Sequence, residues 1–225
     1  MVEPGNLGRG AGFAAGAASG AMQRRLRTMS THPEDPRVFS QSKILLMFGL
    51  PLSVLSTLIM PMFISDYLAS SDRDLFAFFL PVLLLVVSYS FVLHAFFRRF
   101  GVDRDKVWTR FGKVFYRQVR FVEIERLDVG VNRFKLYAHG TKVNIDYNRF
   151  DYSLVYIRLL EELQYRRFKL QKVEINDPDW EVAAQTHRHM LATKVYQSHQ
   201  AFYDANPAEF ARLEALMQPP KTYVK

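Results

Sequence analysis

Two long stretches of the chain carry no Asp, Glu, Lys or Arg: residues 44–65 and residues 75–97. Each exceeds the roughly 20 apolar residues a helix needs to cross a hydrocarbon core of about 30 Å. The pattern predicts a hairpin of two membrane helices, joined by a short loop holding Asp66, Asp72, Arg73 and Asp74. Pro51, Pro61 and Pro81 fall inside the spans, where a membrane helix tolerates them. Gly49, Ser53 and Ser56 are small enough for close helix contact, although they make no GxxxG pattern.

Beyond the second span the period changes from helical to two. Val107, Thr109 and Phe111 alternate with Trp108 and Arg110, and Gly112-Lys113 marks a turn. Phe115, Val119 and Phe121 follow, then Leu127, Val129 and Val131. Phe134, Leu136 and Ala138 alternate with Arg133, Lys135 and Tyr137. After a turn at His139-Gly140, Val143, Ile145 and Tyr147 alternate with Lys142, Asn144 and Asp146. Short alternating runs separated by turns predict an antiparallel barrel or sandwich. Tyr156, Leu159, Leu160 and Leu163 then stand at i, i+3, i+4 and i+7, one apolar stripe of a helix that Asp151 or Ser153 would cap. Glu161 and Glu162 read as its solvated face. A linker is expected at 168–175. Asn176-Asp177-Pro178 then opens a further helix with Trp180, Ala184, Leu191, Val195 and Phe202 on one face, and Phe210, Leu213 and Met217 mark a last short helix.

The expected domains are an unfolded segment over 1–42, a membrane hairpin over 43–98, a strand-rich domain over 99–168 and a helical extension over 169–225. The first of these rests on the Gly- and Ala-rich run at 5–21, which has almost nothing to bury. It lacks the basic stretch before a long apolar core that a signal peptide carries. Met29 is an alternative start. The extension is too small for a core of its own, so its apolar stripes call for the barrel, the membrane surface or a partner.

Apolar residues make up 49% of the chain although mean hydropathy is near zero, because they are concentrated in the hairpin. The absence of Cys excludes disulfides and thiolate metal sites. Net charge is +8, and its position matters more than its size: residues 98–170 carry 17 basic and 9 acidic side chains, while the flanking regions nearly balance. Arg24, Arg25, Arg27, Arg37 and Lys43 precede the first span, and Arg98, Arg99, Arg104 and Lys106 follow the second. The positive-inside rule therefore predicts both termini in the cytoplasm of a multi-pass inner-membrane protein. His94 lies within a turn of the cytoplasmic end and reads as an interfacial residue rather than a proton relay.

The segment after the hairpin resembles the bacterial pleckstrin-homology-like domains of small membrane proteins. The resemblance rests on Phe97-Arg98-Arg99-Phe100-Gly101-Val102-Asp103, on Val107-Trp108-Thr109-Arg110-Phe111-Gly112, on the strand from Tyr116 to Ile124, and on the closing helix over 152–167. It implies a β-sandwich capped by a helix, serving as a non-catalytic binding and assembly module. It does not extend to residues 169–225.

The basic residues suggest one lipid- or partner-binding site. Arg133, Lys135 and Lys142 lie on the outward faces of neighbouring strands, with Arg117 and Arg120 on or beside the preceding pair. Together they suit phosphate oxygens of lipid headgroups or an acidic protein surface; an ordinary solvated sheet face is the plain alternative. His187, His189 and His199 do not make a metal site, because residues two apart on a helix point about 200° apart. The chain has no P-loop, GxSxG or HExxH. Aromatics interleaved with cations superficially resemble a nucleic-acid-binding sheet, but a small barrel core needs the same period. The expectation is therefore a non-enzymatic accessory subunit of a membrane protein complex, or a lipid-headgroup binder. No metal, cofactor, nucleic acid or small-molecule substrate is expected.

Overall fold

In the computed structural model, helix α1 (Ser42–Ala69) and helix α2 (Leu75–Phe97) cover the two uncharged runs. The structure describes residues 29–69, 75–130, 132–146, 149–220 and 222–223. The expected features at residues 1–28, at Asp72, Arg73 and Asp74 of the loop, and at Val131 and Tyr147 lie outside these. The strands are β1 (Arg37–Phe39), β2 (Arg98–Val102), β3 (Lys106–Phe111), β4 (Phe115–Arg120), β5 (Arg126–Val129), β6 (Arg133–Ala138), β7 (Thr141–Asp146) and β8 (Lys169–Leu170). Helices α3 (Ser153–Tyr165), α4 (Trp180–Ser198), α5 (Gln200–Ala205) and α6 (Pro207–Met217) complete the order. One sheet runs β1-β2-β3-β4 and the other β7-β6-β5-β8. The chain divides into two units: Val38–Gly101 with Thr109–Tyr116, and Val102–Trp108 with Arg117–Lys225 and the N-terminal segment up to Arg37.

In the hairpin unit, α1 and α2 meet along a stripe of small and hydroxyl-bearing residues. The Ser56 and Ser88 hydroxyls hydrogen-bond at 3.0 Å, and Thr57 meets the Tyr89 hydroxyl at 3.1 Å. A Cβ on Gly49 would stand 3.0 Å from that of Phe91, so any larger residue would require the helices to give by a few tenths of an ångström. The serines also bond carbonyls of their own helix, which satisfies them without water. Elsewhere the helices are open: Leu58 is 69% exposed and Met62 66%, and only 17% of each apolar window is buried. The core helix of a soluble protein hides most of its surface. These two are long and apolar enough to cross a membrane, and most of their apolar surface has no protein against it.

In the other unit, the period-two residues point into one core. Val107, Val119, Leu127, Phe134, Leu136, Ala138, Val143 and Ile145 are all buried. β5 pairs antiparallel with β6 (Leu127 opposite Leu136), and β6 with β7 (Leu136 opposite Val143). Helix α3 closes this core with Tyr156, Leu159, Leu160 and Leu163, all buried, and the Tyr156 ring meets Phe134 edge-on at 5.5 Å.

Several expectations are corrected. Residues 29–42, expected to be unfolded, supply β1 and a set of buried contacts described below. Glu162 does not belong to a solvated face: it is 5% exposed, held by Arg158 at 3.1 Å and Arg166 at 2.8 Å. Arg166 in turn donates to the Phe121 and Ile124 carbonyls. The boundary at 168/169 also disappears. The expected linker contains β8, which pairs in parallel with β5, and α4 packs on α3. Trp180, Ala184, Leu191 and Val195 are buried as their spacing predicts, while Phe202 is only half-buried.

Candidate functional site

The sequence-predicted cations do not form one patch. Arg117 and Arg120 lie on β4, in the other sheet from β6 and β7, and three positions apart on a strand they face opposite ways. Arg120 pairs with Glu123 at 3.2 Å. Arg133, Lys135 and Lys142 do share a face: Tyr137 stands opposite Lys142, which puts Lys142 on the side of Arg133 and Lys135. That face also holds acids. Asp146 stands opposite Arg133 and Asp128 opposite Lys135. Asp128 accepts from Arg126 at 2.7 Å, and this hydrogen bond holds its carboxyl below the usual carboxylate range. Arg126 also lies over the Tyr137 ring at 4.8 Å. The face is therefore of mixed sign, with its acids already placed against cations.

The densest polar cluster is elsewhere, around Asp151. The residue is 3% exposed, and its carboxylate accepts hydrogen bonds from three parts of the chain. The Ser30 amide and hydroxyl donate at 3.0 and 2.9 Å, and Arg37 Nη1 at 3.2 Å. The Ser153 hydroxyl donates at 2.7 Å and its amide at 3.2 Å, which caps α3 from the residue before its N-cap. His199 Nε2 lies 3.2 Å away, at the junction of α4 and α5. Burial alone would raise the Asp151 carboxyl. The hydrogen bonds from His199, Ser30 and Ser153, with the charge of His199, outweigh it and hold the carboxyl well below its usual range.

Two further contacts fasten the same N-terminal segment. Glu34 pairs with Arg104 and, at 2.7 Å, with Arg212 of α6. The His32 ring meets Phe202 edge-on at 4.7 Å. Residues 30–37 thus form a strap held by the 102–108 segment, the start of α3, α5 and α6. Both serine hydroxyls donate to the carboxylate, which therefore ties Ser30, Ser153, Arg37 and His199 to one point. Among the described residues no group of three His, Asp or Glu side chains is placed to hold a metal.

A second buried ion sits on α4. Arg188 is fully buried, donating to Glu181 at 2.7 Å, to the Leu163 carbonyl at 3.1 Å and to the Tyr223 hydroxyl at 2.7 Å. A signal for it existed: position 188 continues the Trp180–Ala184–Leu191 stripe, so an Arg there has to be buried and paired. Asp151 and His199, 48 positions apart, carried no such signal.

His187 on the same helix gives a pH prediction. Its Nδ1 contacts the Ala183 carbonyl at 2.7 Å and its Nε2 has no partner among the described residues. Burial lowers its proton affinity from the ordinary value of 6.5. The unfolded chain then binds a proton that the folded one refuses, so stability falls as pH drops below 6.5. Melting temperature should decline on acidification, and His187→Leu should flatten that decline. Equal slopes in the two proteins would refute the assignment.

No family model, curated protein or solved structure matches this chain. The functional reading therefore rests on its own residues.

Proposed function

We propose that the chain is a non-catalytic, multi-pass inner-membrane protein with both termini cytoplasmic. Its pleckstrin-homology-like domain and hairpin act together as an assembly or accessory subunit of a larger membrane protein complex. The observation that carries this reading is the continuity of anchor and domain. Two residues separate β1 from α1, none separates α2 from β2, and β1 and β2 are neighbours in one sheet. Both helices lead directly into strands, most of whose residues lie in the hairpin's own unit. The cations flanking the hairpin support the orientation. Six consecutive strands, β2 to β7, split between two sheets and followed by helix α3, support the domain type. The open apolar surface of the hairpin offers faces to lipid and to partner helices alike. Purification from mild detergent at native abundance tests this. Stoichiometric co-purifying membrane proteins are expected, and recovery as a monodisperse monomer would overturn the proposal.

A second reading is headgroup binding by the β6–β7 face, favoured by the shared orientation of Arg133, Lys135 and Lys142. In nanodiscs, Lys135 and Lys142 should then be protected from acetylation by anionic but not neutral lipids, and high salt should remove the protection. Equal reactivity in both lipids would eliminate the site.

A further inference from the structure

The turn between β3 and β4 belongs to the hairpin unit, together with Val38–Phe39 of β1 and Arg98–Gly101 of β2. Gly112, at φ +55°, donates its amide to the Phe97 carbonyl at 3.0 Å, the last residue of α2. The Phe111 ring contacts Phe97 at 6.1 Å and reaches back to His94 at 5.0 Å. The turn is thereby pinned along the final turn of α2. A helix of 23 residues is about 34 Å long, against a hydrocarbon core of about 30 Å, so its last turn falls at the headgroup boundary. The turn lies at that same depth.

Its composition is unusual for a solvated turn. Val114, which closes the turn through its amide to the Phe111 carbonyl at 3.2 Å, is 93% exposed. Among the exposed large apolar residues described, none is more open. Lys113 and Arg110 beside it are exposed, and Tyr116 is 54% exposed. An open aliphatic tip ringed by cations and an aromatic suits the interface of an anionic bilayer.

We infer that the β3–β4 turn is a lipid-dipping tip: Val114 enters the headgroup–acyl boundary while Lys113 and Arg110 meet phospholipid phosphates. The inference rests on the hairpin crossing the membrane. It is a different surface from the β6–β7 face and needs none of that face's residues. It gives the hairpin a third point of contact with the bilayer, fixed to the cytoplasmic end of α2.

The chain has no Cys, so single cysteines can be placed in the full-length protein and labelled with an environment-sensitive fluorophore. Three positions suffice: Val114→Cys, Leu83→Cys inside α2, and Glu214→Cys on the exposed side of α6. Each is reconstituted in vesicles of phosphatidylglycerol and phosphatidylcholine, then quenched by lipid-borne nitroxide or by aqueous iodide. The Val114 label should respond to nitroxide near the headgroup, the Leu83 label to nitroxide deep in the chain, and the Glu214 label to iodide. The Glu214 label also reports any affinity of the fluorophore itself for lipid. Pure phosphatidylcholine, or Lys113→Gln, should reduce lipid quenching at Val114 several-fold. Iodide quenching at Val114 equal to that at Glu214, with Leu83 still lipid-quenched, would overturn the tip and leave the hairpin standing. Iodide quenching at Leu83 would overturn the hairpin and the tip with it. Undiminished quenching at Val114 in neutral vesicles would overturn the role of the two cations.

Discussion

Asp151→Ala should destabilise the strand-and-helix unit by about 3–5 kcal/mol, the usual cost of breaking a buried ion pair by removing one partner. The change leaves His199 without its carboxylate, strips Arg37 of an ion-pair partner, and frees the Ser30 amide and hydroxyl. It also removes the cap on α3. For a unit of this size the melting temperature in detergent should fall by roughly 10 °C. Proteolysis should accelerate at Arg37, because the strap loses its main anchor, and that readout separates strap release from general unfolding. Asp151→Asn keeps the shape and loses the charge, so its effect should be smaller. The pH dependence has a defined sign. The folded carboxyl titrates below its ordinary value of 3.8, so its contribution is complete above that value and is lost as pH falls below it. Asp151 therefore gives no slope near neutral pH, where the His187 effect is read. A melting temperature unchanged in Asp151→Ala would show that the cluster holds nothing together.

Trp180→Ala should cost about 3–5 kcal/mol, the range for deleting a buried aromatic. Trp180 is fully buried, and its Nε1 donates to the Phe168 carbonyl at 2.8 Å. Tyr223 meets its ring edge-on at 5.5 Å, and Arg167 lies over it at 4.9 Å. Removing the indole opens a cavity where α4 joins the sheet through β8. Trp180→Phe keeps most of the packing and loses the hydrogen bond, which is worth about 1 kcal/mol. Trp108 is the other tryptophan and reports unfolding by fluorescence in both variants. If residues 169–225 were a detachable extension, the loss would be confined to them and Trp108 would unfold at its usual denaturant concentration. The expected result is a shifted transition at Trp108, because α4 shares a core with α3.

The elements that were legible in the sequence are those whose signal is local. The hairpin, the period-two strands β3 to β7 and the stripe of α3 each declare themselves within a short window. So does the buried face of α4. Strand β1 was missed because three residues of Arg-Val-Phe carry no period; pairing with β2 makes them a strand. Strand β8 was missed for the same reason. Glu162 was misread because its partners Arg158 and Arg166 lie on or just past its own helix, and only the fold turns that side inward. Arg133, Lys135 and Lys142 share one face of β6 and β7, but grouping them with Arg117 and Arg120 required knowing which strands share a sheet. Arg117 and Arg120 proved to be in the other one.

By itself the sequence determined where an apolar, membrane-suited hairpin lies, that a strand-rich region follows it, and most of the buried positions of β3, β6, β7, α3 and α4. These follow from the length of apolar runs and from backbone periods, which need no partner. Tertiary structure alone decided three things: the strap over Asp151, the merging of the C-terminal helices into the core, and the grouping of the β3–β4 turn with the end of α2. Each joins residues far apart in the chain: Ser30 with Asp151, Leu127 with Leu170, Phe97 with Gly112. A hydrogen bond or ion pair between distant positions leaves no periodic trace, so only the folded chain reveals it.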